Sequence, residues 1–102
     1  MQAAGSAEKA QIKDLMQIPG VGPSIARDLV GIGIKGVEDL KGRSPERLYA
    51  ASNRARGVVQ DPCLLYVFRC AVYFASTKRP SPEKLQWWYW KNHSPGSRRA
   101  IA

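Results

Sequence analysis

The sequence predicts an all-α domain, and three observations carry that reading. No stretch alternates polar and apolar residues at a period of two for long, as a half-buried strand would. Three segments open on a small polar or acidic residue followed by proline, at Ser44-Pro45, Asp61-Pro62 and Ser81-Pro82. That pair suits a helix start, because the cap accepts a backbone N–H and the proline has none to leave unpaired. Finally, residues 61–77 are apolar at helical spacing over a wide arc of a 100° wheel.

A first helix is expected from about Lys9 to Gln17, with Ile12, Leu15 and Met16 turned inward. Pro23 then starts a second helix running to about Val30, with Ile25, Ala26 and Leu29 inward and Arg27 and Asp28 toward water. "GIGIKG" ends it, and a short helix covers Val37 to Lys41. The helix capped by Ser44 follows, with Glu46 near its positive end. "NRARGVVQ" reads as a basic connector.

In the helix capped by Asp61, the residues Tyr66, Arg69, Tyr73, Ser76 and Thr77 share one arc. Leu64, Leu65, Val67, Phe68, Val72 and Phe74 make nearly all the rest apolar, so this helix is expected to be the central post. A final helix is expected after Pro82, with Leu85, Trp88 and Tyr89 packing on the core and Trp87 on another face. Residues 11–92 would form one domain between a flexible N-terminus at 1–10 and a flexible tail at 93–102.

At 102 residues the chain can bury a modest core, and 44% hydrophobic with 24% charged residues suits a folded rather than a disordered chain. The longest apolar run is broken by Arg69, so no membrane span is expected. "MQAAGSAEKA" has neither a basic start nor an apolar signal core, which points to the cytoplasm. Cys63 and Cys70 lie in one expected helix with Cα atoms roughly 10 Å apart, too far for a disulfide. Cys63 is read as a buried small hydrophobe, with Asp61 opposing any fall in its pKa. His93 is the only histidine, so neither a metal site nor a cofactor is expected.

The formal charge is +8, which suits a polyanionic partner. It is unevenly distributed. Residues 1–40 are net −1, residues 41–60 net +4, residues 61–77 neutral and residues 78–102 net +5. Arg43, Arg47, Arg54 and Arg56 form one cluster; Lys78, Arg79, Lys84 and Lys91 form another. Either would steer a phosphate backbone if folding set it beside a phosphate site.

"QIPGVGPSIARDLV", residues 17–30, offers such a site. Gly20 and Gly22 let the chain reverse tightly while Val21 turns inward between two helices. The amides of Gly20, Val21, Gly22 and Ser24 then gather at a helix start, where an anion finds directional donors. A DNA phosphate suits them because it needs no base contact.

"IPGVGPSIARDL" resembles the helix-hairpin-helix motif of DNA-binding proteins that ignore sequence, and "GIKGVEDLKGRSPERLYA" looks like a degenerate second copy. With "QDPCLLYVFRCAVYFAS" and "LQWWYWK" added, residues 12–92 are similar to the small bacterial pathogenicity-locus family, some of whose members carry a mitomycin-resistance label. The resemblance implies a tandem helix-hairpin-helix fold and DNA binding. Many such hairpins carry lysine after the glycine-proline, where this chain has Ser24, so positive charge must come from Arg27, Lys35 or elsewhere.

The expected function is therefore weak, sequence-independent DNA binding, linked to repair or damage resistance. Gly20, Val21, Gly22, Ser24 and Arg27 would hold a phosphate, with Arg43, Arg47, Arg54, Arg56, Lys84, Trp87 and Lys91 as auxiliary contacts. Trp87 sits between Lys84 and Lys91 as a candidate base-stacking residue. The alternative is a protein-interaction adaptor without nucleic acid, using Tyr66 or Trp87. No catalytic residue is expected. Asp39 is the nominal candidate, but "VEDLKG" reads as a surface helix with Asp39 paired to Lys35 and Lys41, and a base-processing enzyme needs a larger pocket.

Overall fold

A computed structural model describes residues 2–93. Its helices are α1 (Gln2–Leu15), α2 (Pro23–Gly31), α3 (Pro45–Arg56) and α4 (Pro62–Ser76), with 3₁₀ turns at Val37–Leu40, Pro82–Leu85 and Trp87–Lys91. The fold is all-α, and no strand occurs among the described residues. Helix α1 starts at Gln2 rather than near Lys9, since Ala3, Ala4, Ala7 and Ala10 are the strongest of helix formers. The expected tail over 93–102 lies, beyond His93, outside the described residues.

Two of the three predicted caps are present, whereas Ser81 makes no side-chain cap bond. Ser44 Oγ accepts from the Arg47 amide and the Asp61 carboxylate from the Cys63 amide, with proline at the first position of each helix. Each bond satisfies a donor that the helix leaves without an internal partner. Helix α3 continues through "NRAR", so those residues are helical rather than a connector; Gly57, at φ +74°, ends the helix. Its strap to α4 is held by Gln60, whose Nε2 reaches Ser52 Oγ at 2.9 Å and Asn53 Oδ1 at 3.0 Å. The Tyr49 hydroxyl donates to the Gln60 carbonyl.

Helix α4 is the central post, as its wheel predicted. Val67, Phe68, Cys70, Ala71, Val72 and Ala75 are buried against a core that includes Leu15, Ile18, Leu29, Ile34, Leu40 and Leu48. Burial of Phe68, with no exposed surface, contributes about 2–3 kcal/mol. Cys63 departs from expectation: it is exposed.

The last segment also departs from expectation. Gln86 is extended (φ −95°, ψ 120°) and splits the predicted helix into two 3₁₀ turns. A 3₁₀ turn repeats every three residues, so Trp87 and Trp90 face one way and Trp88 and Lys91 another. Trp90 is 4% exposed, whereas Trp88 is 57% exposed, which reverses the faces drawn on an α wheel. Tertiary bonds hold this arrangement. Trp90 Nε1 donates to the Lys84 carbonyl at 2.8 Å, and Arg69 donates to the Trp90 carbonyl at 2.8 Å.

Candidate functional site

Helices α1 and α2 pack together across the turn that contains Gly20, Val21 and Gly22. The Val21 amide donates to the Ile18 carbonyl at 3.0 Å, and the Ala26 amide to the Gly22 carbonyl at 2.9 Å. Gly20 has φ +90°, a region that L side chains rarely occupy. Val21 is 5% exposed and reaches the core. Gly22 is the N-cap of α2 in extended backbone, φ −94° and ψ −174°, and a Cβ built there meets nothing within 4 Å.

Four amides of the turn and of the start of α2, those of Gly20, Gly22, Ser24 and Ile25, have no hydrogen-bond acceptor among the described residues. Val21, expected to be a donor, closes the turn instead. Ile25 supplies the amide that sequence reasoning missed, because only the bonding pattern of the first α2 turn reveals it. Ser24 and Arg27 are exposed on the same helix.

The second glycine turn has a different fate. Gly33 has φ +97° and Ile34 is only 1% exposed, matching Gly20 and Val21. Its amides, however, are taken by carboxylates. Asp14 Oδ2 accepts from the Val37 amide at 2.8 Å and Asp39 Oδ2 from the Lys35 amide at 2.9 Å. Asp39 is thus a backbone cap and not the partner of Lys41, which pairs with Glu38 at 2.9 Å.

Folding brings one residue of the first basic cluster against α2. Arg56 pairs with Asp28 of α2 at 2.8 Å, which sets the end of α3 about 6 Å along α2 from Ser24, given 1.5 Å per residue. Asp28 is consequently half-buried rather than turned freely to water. Arg54 is exposed. Arg43 donates through Nε to the Asp39 carbonyl at 2.9 Å and, with Arg47, lines a shallow cleft of ≈ 370 Å³. From the other side comes the tryptophan segment: a Cβ on Gly20 would stand 3.8 Å from Trp87 Cδ1. Trp87 is half-buried against the core, so the indole expected to be open for stacking is a packing residue, and Trp88 is the open one.

A second cleft, of ≈ 610 Å³, is lined by Arg69, Lys84, Tyr89, Trp90, Lys91 and His93 among others. Arg69 is engaged there with Glu46 at 3.2 Å and with the Trp90 carbonyl. Among the described residues no cluster of His, Cys, Asp and Glu is placed to hold a metal, and no helix is long and apolar enough to cross a membrane.

Residues 8–95 match the family described as "Pathogenicity locus", Cdd1. The chain belongs to that family. A curated relative, the mitomycin resistance protein McrB of Streptomyces lavendulae, is 35% identical over 89 residues, spanning 87% of this chain and 78% of the relative. No solved structure matches significantly. The pathogenicity-locus match takes in both glycine turns, α4 and the tryptophan segment.

Proposed function

We propose that this member of the pathogenicity-locus family binds DNA weakly and without regard to sequence, in the cytoplasm, with the first glycine turn holding a backbone phosphate as a helix-hairpin-helix does. The carrying observation is the contrast between the two turns. In one, the chain's own carboxylates sit on the amides; in the other, comparable amides have no acceptor among the described residues, and a Cβ at Gly22 would meet nothing within 4 Å. A turn that accepts a carboxylate oxygen accepts a phosphate oxygen by the same charge-assisted bonds.

Gly20, Gly22, Ser24 and Ile25 supply the donors, the Ser24 hydroxyl adds one more, and Arg27 with Arg54 adds long-range attraction. Phosphate contacts of this kind position a protein on DNA and read no bases. A place beside damaged DNA suits the mitomycin-resistance name of the relative.

The test is fluorescence anisotropy of labelled DNA at several salt concentrations. Affinity should fall with salt, at a slope of about 0.9 per phosphate contact on duplex, and should not depend on sequence. Gly22→Ala should weaken binding severalfold, since the new methyl occupies the approach to the amides. Absence of binding at low salt by folded protein would sink the proposal.

The adaptor reading looks to Tyr66 or Trp87, which are both half-buried; among the exposed apolar side chains, Val58 and Val59, 59% and 85% exposed at the strap between α3 and α4, suit it better. It predicts that Val59→Ser abolishes capture of a protein partner and leaves DNA affinity unchanged.

A further inference from the structure

The geometry points to Trp88 as a platform on which an unpaired base stacks, giving the site a preference for single-stranded over duplex DNA; this rests on the phosphate-binding reading above. Three contacts lead outward from the turn. Gly20 lies against Trp87, with 3.8 Å from its built Cβ to Trp87 Cδ1. Trp87 meets Trp88 edge-on, with ring centroids 5.6 Å apart and planes at 83°. Trp88 then stands 57% exposed, one aromatic contact away from the residue that braces the turn.

The packed neighbour fixes the exposed indole, so a base meets a surface that is already ordered. Preorganisation of this kind reduces the entropy that binding must overcome. The 3₁₀ period sets Lys91 in the same outward row as Trp88, and both Trp88 and Lys91 are exposed. An aromatic face beside a cation, next to backbone donors, is the combination by which proteins hold single strands without reading sequence. Duplex bases are already stacked on one another and offer Trp88 only a sugar-phosphate edge.

A protein partner is the less favoured occupant. Protein hot spots sit in packed apolar pockets ringed by further contacts, whereas the aromatic and apolar neighbours of Trp88 in the chain, Leu85, Trp87, Tyr89 and Trp90, are half-buried or buried, and its exposed neighbours are Gln86 and Lys91.

Oligothymidine and a duplex of equal length, both end-labelled, test the inference by anisotropy. Trp88→Ala should lower affinity for oligothymidine about tenfold and leave the duplex within about twofold, while Trp88→Phe keeps most of the single-strand affinity. In the native chain, oligothymidine should quench tryptophan emission, and Trp88→Phe should remove the greater part of that quench. If Trp88→Ala changes neither affinity, the inference is overturned and the patch falls to a protein partner. Equal loss on both DNAs also overturns it. Should the native protein bind neither DNA, the phosphate-binding reading fails and takes this one with it.

Discussion

Asp14 reaches across 23 residues to the end of the second glycine turn, where its Oδ2 accepts from the Val37 amide at 2.8 Å. Its Oδ1 also accepts from Gln17 Nε2 at 2.7 Å. A single carboxylate therefore ties the end of α1 to the segment after α2, although the charges of residues 1–40 read merely as a slight acidic excess.

Removal of this tie should be felt in stability. Asp14→Ala leaves the part-buried Val37 amide without an acceptor, and about 1–3 kcal/mol should be lost. A Cβ on Gly36 would stand 3.0 Å from Asp14 Oδ2, so Gly36→Ala should push the same carboxylate away and cost part of that amount. Urea melts of the two variants and their double mutant test this. Additive losses would show that the two residues do not act through one bond.

The two glycines of the first turn should separate cleanly. Gly20→Ala forces a side chain to φ +90° and should cost about 1–2 kcal/mol. Gly22 has an extended backbone and open space around it, and Gly22→Ala should cost under about 1 kcal/mol. Thermal melts check the order. A larger loss at Gly22 would mean that its open face is covered in solution.

Sequence and structure part company at identifiable residues. Caps, turns and the apolar post were legible because each depends on neighbours within four positions: Ser44 and Arg47, Asp61 and Cys63, Val21 between its glycines. The open first turn was legible in part, since spacing places the glycines but not the Ile18 carbonyl that takes the Val21 amide. Trp87 and Trp88 exchange faces relative to an α wheel because the period of their segment is three. That period is imposed by Arg69 and the Lys84 carbonyl, partners seen only after folding. The occupation of the second turn by Asp14 was invisible for the same reason.

The two thiols should react at very different rates. Cys70 is fully buried, and burial pushes its pKa up to about 11. Cys63 is exposed, but its hydrogen bond to the Asp61 carboxylate favours the protonated thiol and raises its pKa. A disulfide reagent at pH 8 should therefore titrate one thiol slowly and the second only on unfolding. Asp61→Asn retains a capping side chain and removes the charge, so it should speed labelling of Cys63 at that pH.

Stability should follow the sign of the Cys70 shift. A thiol held protonated in the fold costs nothing below its unfolded pKa, and its contribution is lost as pH rises from about 9 toward 11. Cys70→Ser should flatten that part of the pH profile in denaturant melts.

The seat of Trp90 also bears on how the chain matures. Helix α4 makes its most extensive contacts with the 3₁₀ turn at Trp87–Lys91, and Arg69 and Cys70 both find acceptors in the segment from Lys84 to Trp90. During synthesis, α1 to α4 emerge before the residues that close over the central post. Until Trp90 arrives, the C-terminal face of α4 stays open to water and to other nascent chains, so the finished fold is locked from its trailing end. A released chain that stops before Trp87 should accordingly be digested by protease at α4, whereas the full chain should resist.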